Sequence, residues 1–295
     1  MEKITLGDVE ISRVVELRDL AMPRAQVFPS IDRQRWVDDA ELLVPNFWRP
    51  DTDEFVVNTQ PWVLRSAGRT IMIDTGFGND KQRPNAPALS NLHTDFLDRM
   101  ATAGFAPEDI DVVVCTHLHS DHVGWNTRLV DGQWVPTFPN ARYLIAQADF
   151  DYWHPVHGDP NRSPRMAGVF EDSVAPVYEA GLVDLWSDEY AIDANLRLVP
   201  APGHTPGAAV VELRSGGDRA LFVGDLVHSP VQLGLPECGP AFDEDSGLAA
   251  KSRVRVLAQA AAERALLVPA HFPAGSAVEI RAVGDGFTAT RWAFD

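Results

Sequence analysis

Apolar runs that stop abruptly at a carboxylate or an imidazole recur along this chain. Trp62-Val-Leu-Arg-Ser-Ala67-Gly68-Arg-Thr-Ile-Met-Ile73-Asp74 reads as strand, tight turn, strand, aspartate. Val211-Glu-Leu-Arg-Ser-Gly216-Gly217-Asp-Arg-Ala-Leu-Phe-Val-Gly224-Asp225 repeats that order. Ala67-Gly68 and Gly216-Gly217 sit where tight hairpins need positive φ, and the second strand of each pair is a continuous apolar run, as strands covered on both faces are. Asp74 and Asp225 are therefore expected at equivalent sheet edges. A second echo pairs Asp111-Val-Val-Val-Cys-Thr-His117 with Leu196-Arg-Leu-Val-Pro-Ala-Pro-Gly-His204. Four strand ends would thus direct polar groups to one rim.

Helical periodicity fills the intervals. Residues 91–103 place Leu92, Phe96 and Met100 at i, i+4 and i+8, with Gly104 as the stop. Residues 246–264 are rich in good helix formers and lead into Ala265-Leu-Leu-Val-Pro, a strand that delivers His271. The spacing predicts a third helix over 163–181, ended by Gly181. Without a linker or low-complexity tract, residues 1–295 read as a single domain. Three stretches do not fit the strand and helix pattern: 20–60, 151–180 and 228–246. Their Phe28, Trp36, Phe47, Trp48, Trp153, Phe170, Tyr178 and Phe242 suit the walls of a binding pocket, and also the core or a homodimer contact.

Composition narrows the classes of function. Hydrophobic residues make up 45% of the 295, enough for a large core. A formal charge of −17, with no basic patch, repels polyanions and argues against nucleic-acid partners. No apolar run reaches the ~18 residues of a membrane helix and the start lacks a signal-peptide pattern, so a cytoplasmic protein without membrane association is expected. The 2 cysteines, Cys115 and Cys238, form no disulfide framework.

The candidate chemistry is concentrated in Val112-Val-Val-Cys115-Thr116-His117-Leu-His119-Ser120-Asp121-His122-Val-Gly124-Trp125. Extended backbone sends i and i+2 to one face, so His117 and His119 converge, while Asp121 and His122 follow where the chain turns. Imidazole and carboxylate ligands suit zinc, and also iron or manganese, and the scarcity of thiolates argues against a closed structural zinc site. Three further motifs follow: Pro202-Gly203-His204-Thr205-Pro206-Gly207, Phe222-Val223-Gly224-Asp225 and Val268-Pro269-Ala270-His271.

Together these motifs, in this order, resemble the signature of the metallo-β-lactamase fold superfamily, and the resemblance covers most of the chain. It implies an α/β fold built as a four-layered α/β/β/α sandwich. It also implies two divalent metal ions, with His117, His119 and His204 on one, Asp121, His122 and His271 on the other, and Asp225 bridging. Zinc is expected, with manganese, iron and cobalt as alternatives. Five imidazoles and two carboxylates leave each ion short of saturation, so a hydroxide can bridge them and attack a carbonyl or phosphoryl centre. Asp74 is the natural carboxylate partner for a metal-bound histidine. Asp121 could also protonate a leaving group, and His228, three residues beyond Asp225, could reach the substrate as proton donor or oxyanion partner. Thr116 and Ser120 read as packing residues, and His93, His154 and His157 as ordinary histidines.

Within the superfamily the chain is most similar to the branch of N-acyl homoserine lactone lactonases and methyl-parathion-type hydrolases. Trp125 stands where many of those lactonases carry glycine, and Ala270-His271-Phe272-Pro273 looks nearer to the phosphotriesterase side. The resemblance therefore implies a hydrolase opening a small neutral lactone or cleaving a carboxylic ester, with quorum quenching as its biological use. Phosphotriester hydrolysis is the alternative, and a mononuclear iron persulfide dioxygenase is the alternative from another class.

Overall fold

The structure, a computed structural model, describes residues 3–156 and 163–293. The chain forms two compact units, one of Met1–Glu16 with Thr59–Asn195, the other of Leu17–Asn58 with Leu196–Asp295.

The first unit is organised on a seven-stranded sheet in the order Lys3–Leu6, Val9–Arg13, Trp62–Ser66, Arg69–Ile73, Val112–Val114, Arg142–Ala146, Val183–Trp186. Trp62–Ser66 and Arg69–Ile73 form the expected antiparallel hairpin, with Ala67 at φ 48° and Gly68 at φ 78°. Ile71–Ile73 then pairs in parallel with Val112–Val114, whose three valines are all buried. That double coverage is what the continuous apolar runs encode. Val63, Met72, Val113 and Ile145 pack with Phe96 and Met100 in the unit's core.

Two helices differ from the sequence reading. The helix expected over 91–103 is Phe96–Thr102, ending at Gly104 with φ 84°. Asn91 takes φ 53°, and the Asn79 side chain accepts from Thr94 N at 2.7 Å, which holds the preceding residues as a loop. The segment 163–181 is divided into a 3-10 turn at Pro164–Met166, a π-helical turn at Phe170–Val174 and a short α-helix at Ala175–Glu179. Gly168 at φ 82° and Pro176 in the first turn of the α-helix interrupt what periodicity alone joined.

In the second unit Leu196–Pro200, Ala209–Ser215, Asp218–Gly224, Leu266–Pro269, Ala277–Val283 and Gly286–Ala293 lie in that order in one sheet. Ala209–Ser215 and Asp218–Gly224 make the second hairpin, and Asp218–Gly224 pairs in parallel with Leu266–Pro269. Helix Ser246–Glu263 matches its expected span, capped by Asp245 accepting from Leu248 N and closed by Arg264 in the left-handed region.

The stretch 20–60 is more regular than expected. Leu17–Pro23, Trp48–Arg49 and Glu54–Thr59 form a small sheet, and Arg24–Val27, Arg33–Asp38 and Ala40–Leu43 are short helices. Its aromatic residues point inward: Phe28, Trp36, Phe47 and Trp48 are buried in this unit's core, where Phe28 meets Phe55 edge-on at 5.2 Å. Among the described residues no helix is long and apolar enough to cross a membrane.

Candidate metal centre

Each unit gathers its own set of metal-capable side chains. In the first, strand Val112–Val114 carries the chain to Thr116 and His117, and the turn into helix Ser120–Val123 presents His119, Asp121 and His122. The rings of His117 and His119 meet edge-on at 4.7 Å, and those of His117 and His122 lie 3.9 Å apart. His117 and His122 are buried, while His119 and Asp121 are partly exposed. The contiguous motif therefore folds into one compact donor set.

Asp74 orients this set. Its backbone sits at φ 57°, a left-handed conformation uncommon outside glycine that turns the strand end sharply toward the histidine segment. Its Oδ2 lies 2.9 Å from His122 Nδ1, and its carboxylate accepts both the backbone N–H and the hydroxyl of Thr116, each within 3.0 Å. The Thr116 hydroxyl also lies 3.2 Å from His117 Nδ1, so Thr116 is a member of this network and not merely a packing residue. Asp149, fully buried, accepts the N–H of Leu118 at 3.0 Å and fixes the backbone between His117 and His119. Ordinary spacing gave no signal for Asp149, which lies thirty-one residues along the chain in helix Gln147–Trp153.

In the second unit Asp225 stands at the end of Asp218–Gly224, after a turn at Gly224 with φ 49°. Three imidazoles face its carboxylate. Nε2 of His228 and of His204 lie 3.0 and 3.3 Å from Oδ2, and Nε2 of His271 lies 2.9 Å from Oδ1. His204 Nδ1 is held by Asp243 at 2.9 Å, and His271 Nδ1 by the carbonyl of Asn58 at 2.8 Å. Asp243 also binds Arg253 at 3.2 Å, and both side chains are fully buried. The sequence reading missed Asp243 and Asn58, because both come from segments far from any histidine motif.

Charge follows from this crowding. Burial works against a charged His204, yet hydrogen bonds to Asp225 and Asp243 outweigh it and raise its pKa to about 9. Burial lowers the pKa of His228, with Asp225 only partly opposing. Burial also pushes the Cys115 thiol up to about 12, which removes it as a thiolate ligand or nucleophile.

The donor chemistry fits divalent metal ions. His117, His122, His204 and His271 each have Nδ1 within 3.2 Å of an oxygen, from Thr116, Asp74, Asp243 and Asn58 respectively. This leaves Nε2 as the coordinating atom, the arrangement by which proteins fix the tautomer and direction of metal-bound histidines. Of the remaining histidines, His93 is exposed beside Asp80, His154 packs among Phe150 and Phe170, and His157 lies outside the described residues.

The family model of the metallo-beta-lactamase superfamily matches residues 55–271. The N-acyl homoserine lactonase AttM of Rhizobium radiobacter is 26% identical over 132 residues, covering 43% of this chain and 44% of the relative, so the chain spans less than half the length of that protein. The crystal structure of the hydrolase AbOPH superposes with a TM-score of 0.81 at 22% identity, covering 100% of this chain and 98% of the other. That of AidC, a dizinc quorum-quenching lactonase in complex with its product, gives 0.79 at 22% identity with the same coverage. The chain belongs to the metallo-β-lactamase superfamily and has its fold.

Proposed function

We propose that this protein is a dinuclear metal-dependent hydrolase that opens lactones or cleaves neutral carboxylic esters. In this reading, which the family resemblance implies, His117, His119, His204 and Asp225 hold one ion, and Asp121, His122 and His271 hold the second, with Asp225 shared. The observation that carries it is the set of four imidazoles tied through Nδ1, together with a carboxylate facing three Nε2 atoms. When bound, two such ions supply a hydroxide nucleophile near neutral pH and positive charge for the developing oxyanion.

The protein's own groups do the rest. Asp74, Asp243, Thr116 and the Asn58 carbonyl keep the imidazoles aimed, so little reorganisation is required during the reaction. His228, whose Nε2 lies 3.0 Å from Asp225 Oδ2, is assigned in this reading to turn its N–H from that carboxylate to the oxyanion or the leaving group. Asp121, partly exposed at the start of its helix, serves in this reading as a ligand of the second ion. The formal charge of −17 favours neutral substrates over phosphodiesters. The lactonase AttM among its relatives and the lactonase AidC among its structural neighbours favour a carbonyl substrate.

The test is hydrolysis of an acyl homoserine lactone, an aryl ester, a phosphotriester and a phosphodiester by zinc-loaded protein of measured metal content. Two zinc ions per chain and fastest turnover of the lactone or ester are expected. Fastest turnover of the phosphotriester would replace the substrate assignment and keep the metal centre. One iron per chain with persulfide oxidation would overturn the hydrolase reading.

A further inference from the structure

Trp125 follows the histidine motif directly after Gly124, and metal chemistry does not explain an indole there. The indole is buried, stacks on Phe96 at 5.5 Å and 28°, and donates its Nε1–H to Glu16 Oε1 at 2.7 Å. The same carboxylate accepts Gly78 N on Oε1 at 3.1 Å and Phe77 N on Oε2 at 2.7 Å. Glu16 is 1% exposed, and among the described residues it forms no ion pair with a lysine or arginine. An uncompensated carboxylate in such a place opposes folding, so stability by itself gives no reason for a charge here.

The three donors belong to segments that control the His122 side of the centre. Residues 74–78 begin at Asp74, which holds His122 Nδ1. Thr75 N donates to His122 O at 2.8 Å, Gly124 N to Gly76 O at 2.7 Å and Trp125 N to Thr75 O at 3.1 Å. The two backbones run so close that a Cβ on Gly124 would lie 1.8 Å from Phe77 O. A Cβ on Gly76 would lie 2.3 Å from Glu16 Oε2. Asp74, His122 and the Glu16 carboxylate thus share one rigid block, and a shift of 74–78 would move the oxygen that aims His122.

We propose that Glu16 and Trp125 form a positioning clamp that sets the Asp121 and His122 half of the metal centre. This rests on the dinuclear reading above. The clamp is specific to this chain's Gly124-Trp125 sequence, because a glycine at 125 offers no side-chain N–H to the carboxylate. In Glu16→Gln the amide NH2 replaces one acceptor oxygen, so at least one of the three N–H groups loses its partner whichever way the amide turns.

The experiment is zinc titration against a chromophoric chelator, with elemental analysis and melting temperatures, for the wild-type protein, Glu16→Gln and Trp125→Phe. The wild type should hold two zinc ions. In Glu16→Gln one of the two should bind about 10- to 100-fold more weakly while the other keeps its affinity. Trp125→Phe, which keeps an aromatic ring on Phe96 and loses the N–H with part of the indole, should shift the same ion less, and it decides the matter if Glu16→Gln fails to fold. Two wild-type ions with both affinities unchanged in the variants, and only melting temperature lowered, would overturn the clamp and leave the dinuclear reading intact. A single zinc in the wild type would overturn the dinuclear reading, and the clamp with it.

Discussion

The two units supply their metal-capable side chains in opposite ways. In the first, four of them fall within His117–His122, and the turn that follows Val112–Val114 brings them together. In the second, His204, Asp225 and His271 come from the ends of three different sheet segments, and an aspartate facing three imidazoles is the organising feature. The first set depends on one strand turning correctly at Asp74. The second depends on the registers of Asp218–Gly224, Leu266–Pro269 and Ala209–Ser215 all being right.

The largest effect should come from Asp225→Ala, which removes the carboxylate that faces three Nε2 atoms in the second unit. Turnover should fall by several powers of ten, with at least one metal ion lost. Activity within tenfold of the wild type, measured with zinc in excess, would assign the sharing of ions to another group and erase the contrast between the two sets.

A matched pair of changes sharpens the comparison. Asp74→Asn and Asp243→Asn each remove a carboxylate behind one imidazole, so each should lower metal affinity or activity by about 10- to 100-fold. Their stabilities should differ. Asparagine accepts the left-handed backbone that Asp74 adopts, so that variant should fold almost normally. Asp243→Asn also removes the negative charge facing the fully buried Arg253 guanidinium, which keeps only the carbonyls of Leu226, Pro236 and Cys238, and this should cost about 3 to 5 kcal/mol in denaturant unfolding. Equal stability losses in the two variants would show that the second unit is no more dependent on its carboxylate than the first.

The smallest effect is one of pH, and it belongs to the second set. In the metal-free protein the pKa of His204 is raised from 6.5 to about 9 by Asp225 and Asp243 against the pull of burial. A raised folded-state pKa stabilises the protein fully below about 6.5, and that contribution disappears as pH climbs through 9. Zinc must displace the same proton, so the gain in melting temperature on adding zinc should grow from pH 6.5 to 9. His204→Gln should flatten that slope, and an unchanged slope would mean that other groups carry the linkage.

Much of the site was readable from residue order because its chemistry is carried by short motifs next to apolar runs. His117, His119, Asp121 and His122 follow Val112–Val114 as expected, and Asp74 and Asp225 do stand at hairpin strand ends. The cross-chain partners were not readable. Asp149, Asp243 and the Asn58 carbonyl have no motif of their own, and only folding brings them within 3.0 Å of their partners. Glu16 is the extreme case, an ordinary-looking glutamate sixty-one residues from Phe77 whose carboxylate joins three segments.

The sequence by itself determined the strand ends, the hairpins, helix Ser246–Glu263 and the identity of the metal-capable residues, because these depend on side-chain period and local turn chemistry. The tertiary structure decided where helix 91–103 had to be shortened, why 163–181 breaks into pieces, and why the aromatics of 20–60 face inward. It also decided which oxygen holds each imidazole. Those outcomes depend on hydrogen-bond partners and buried area contributed by residues far away in the chain, and no local pattern records a partner that only folding brings near.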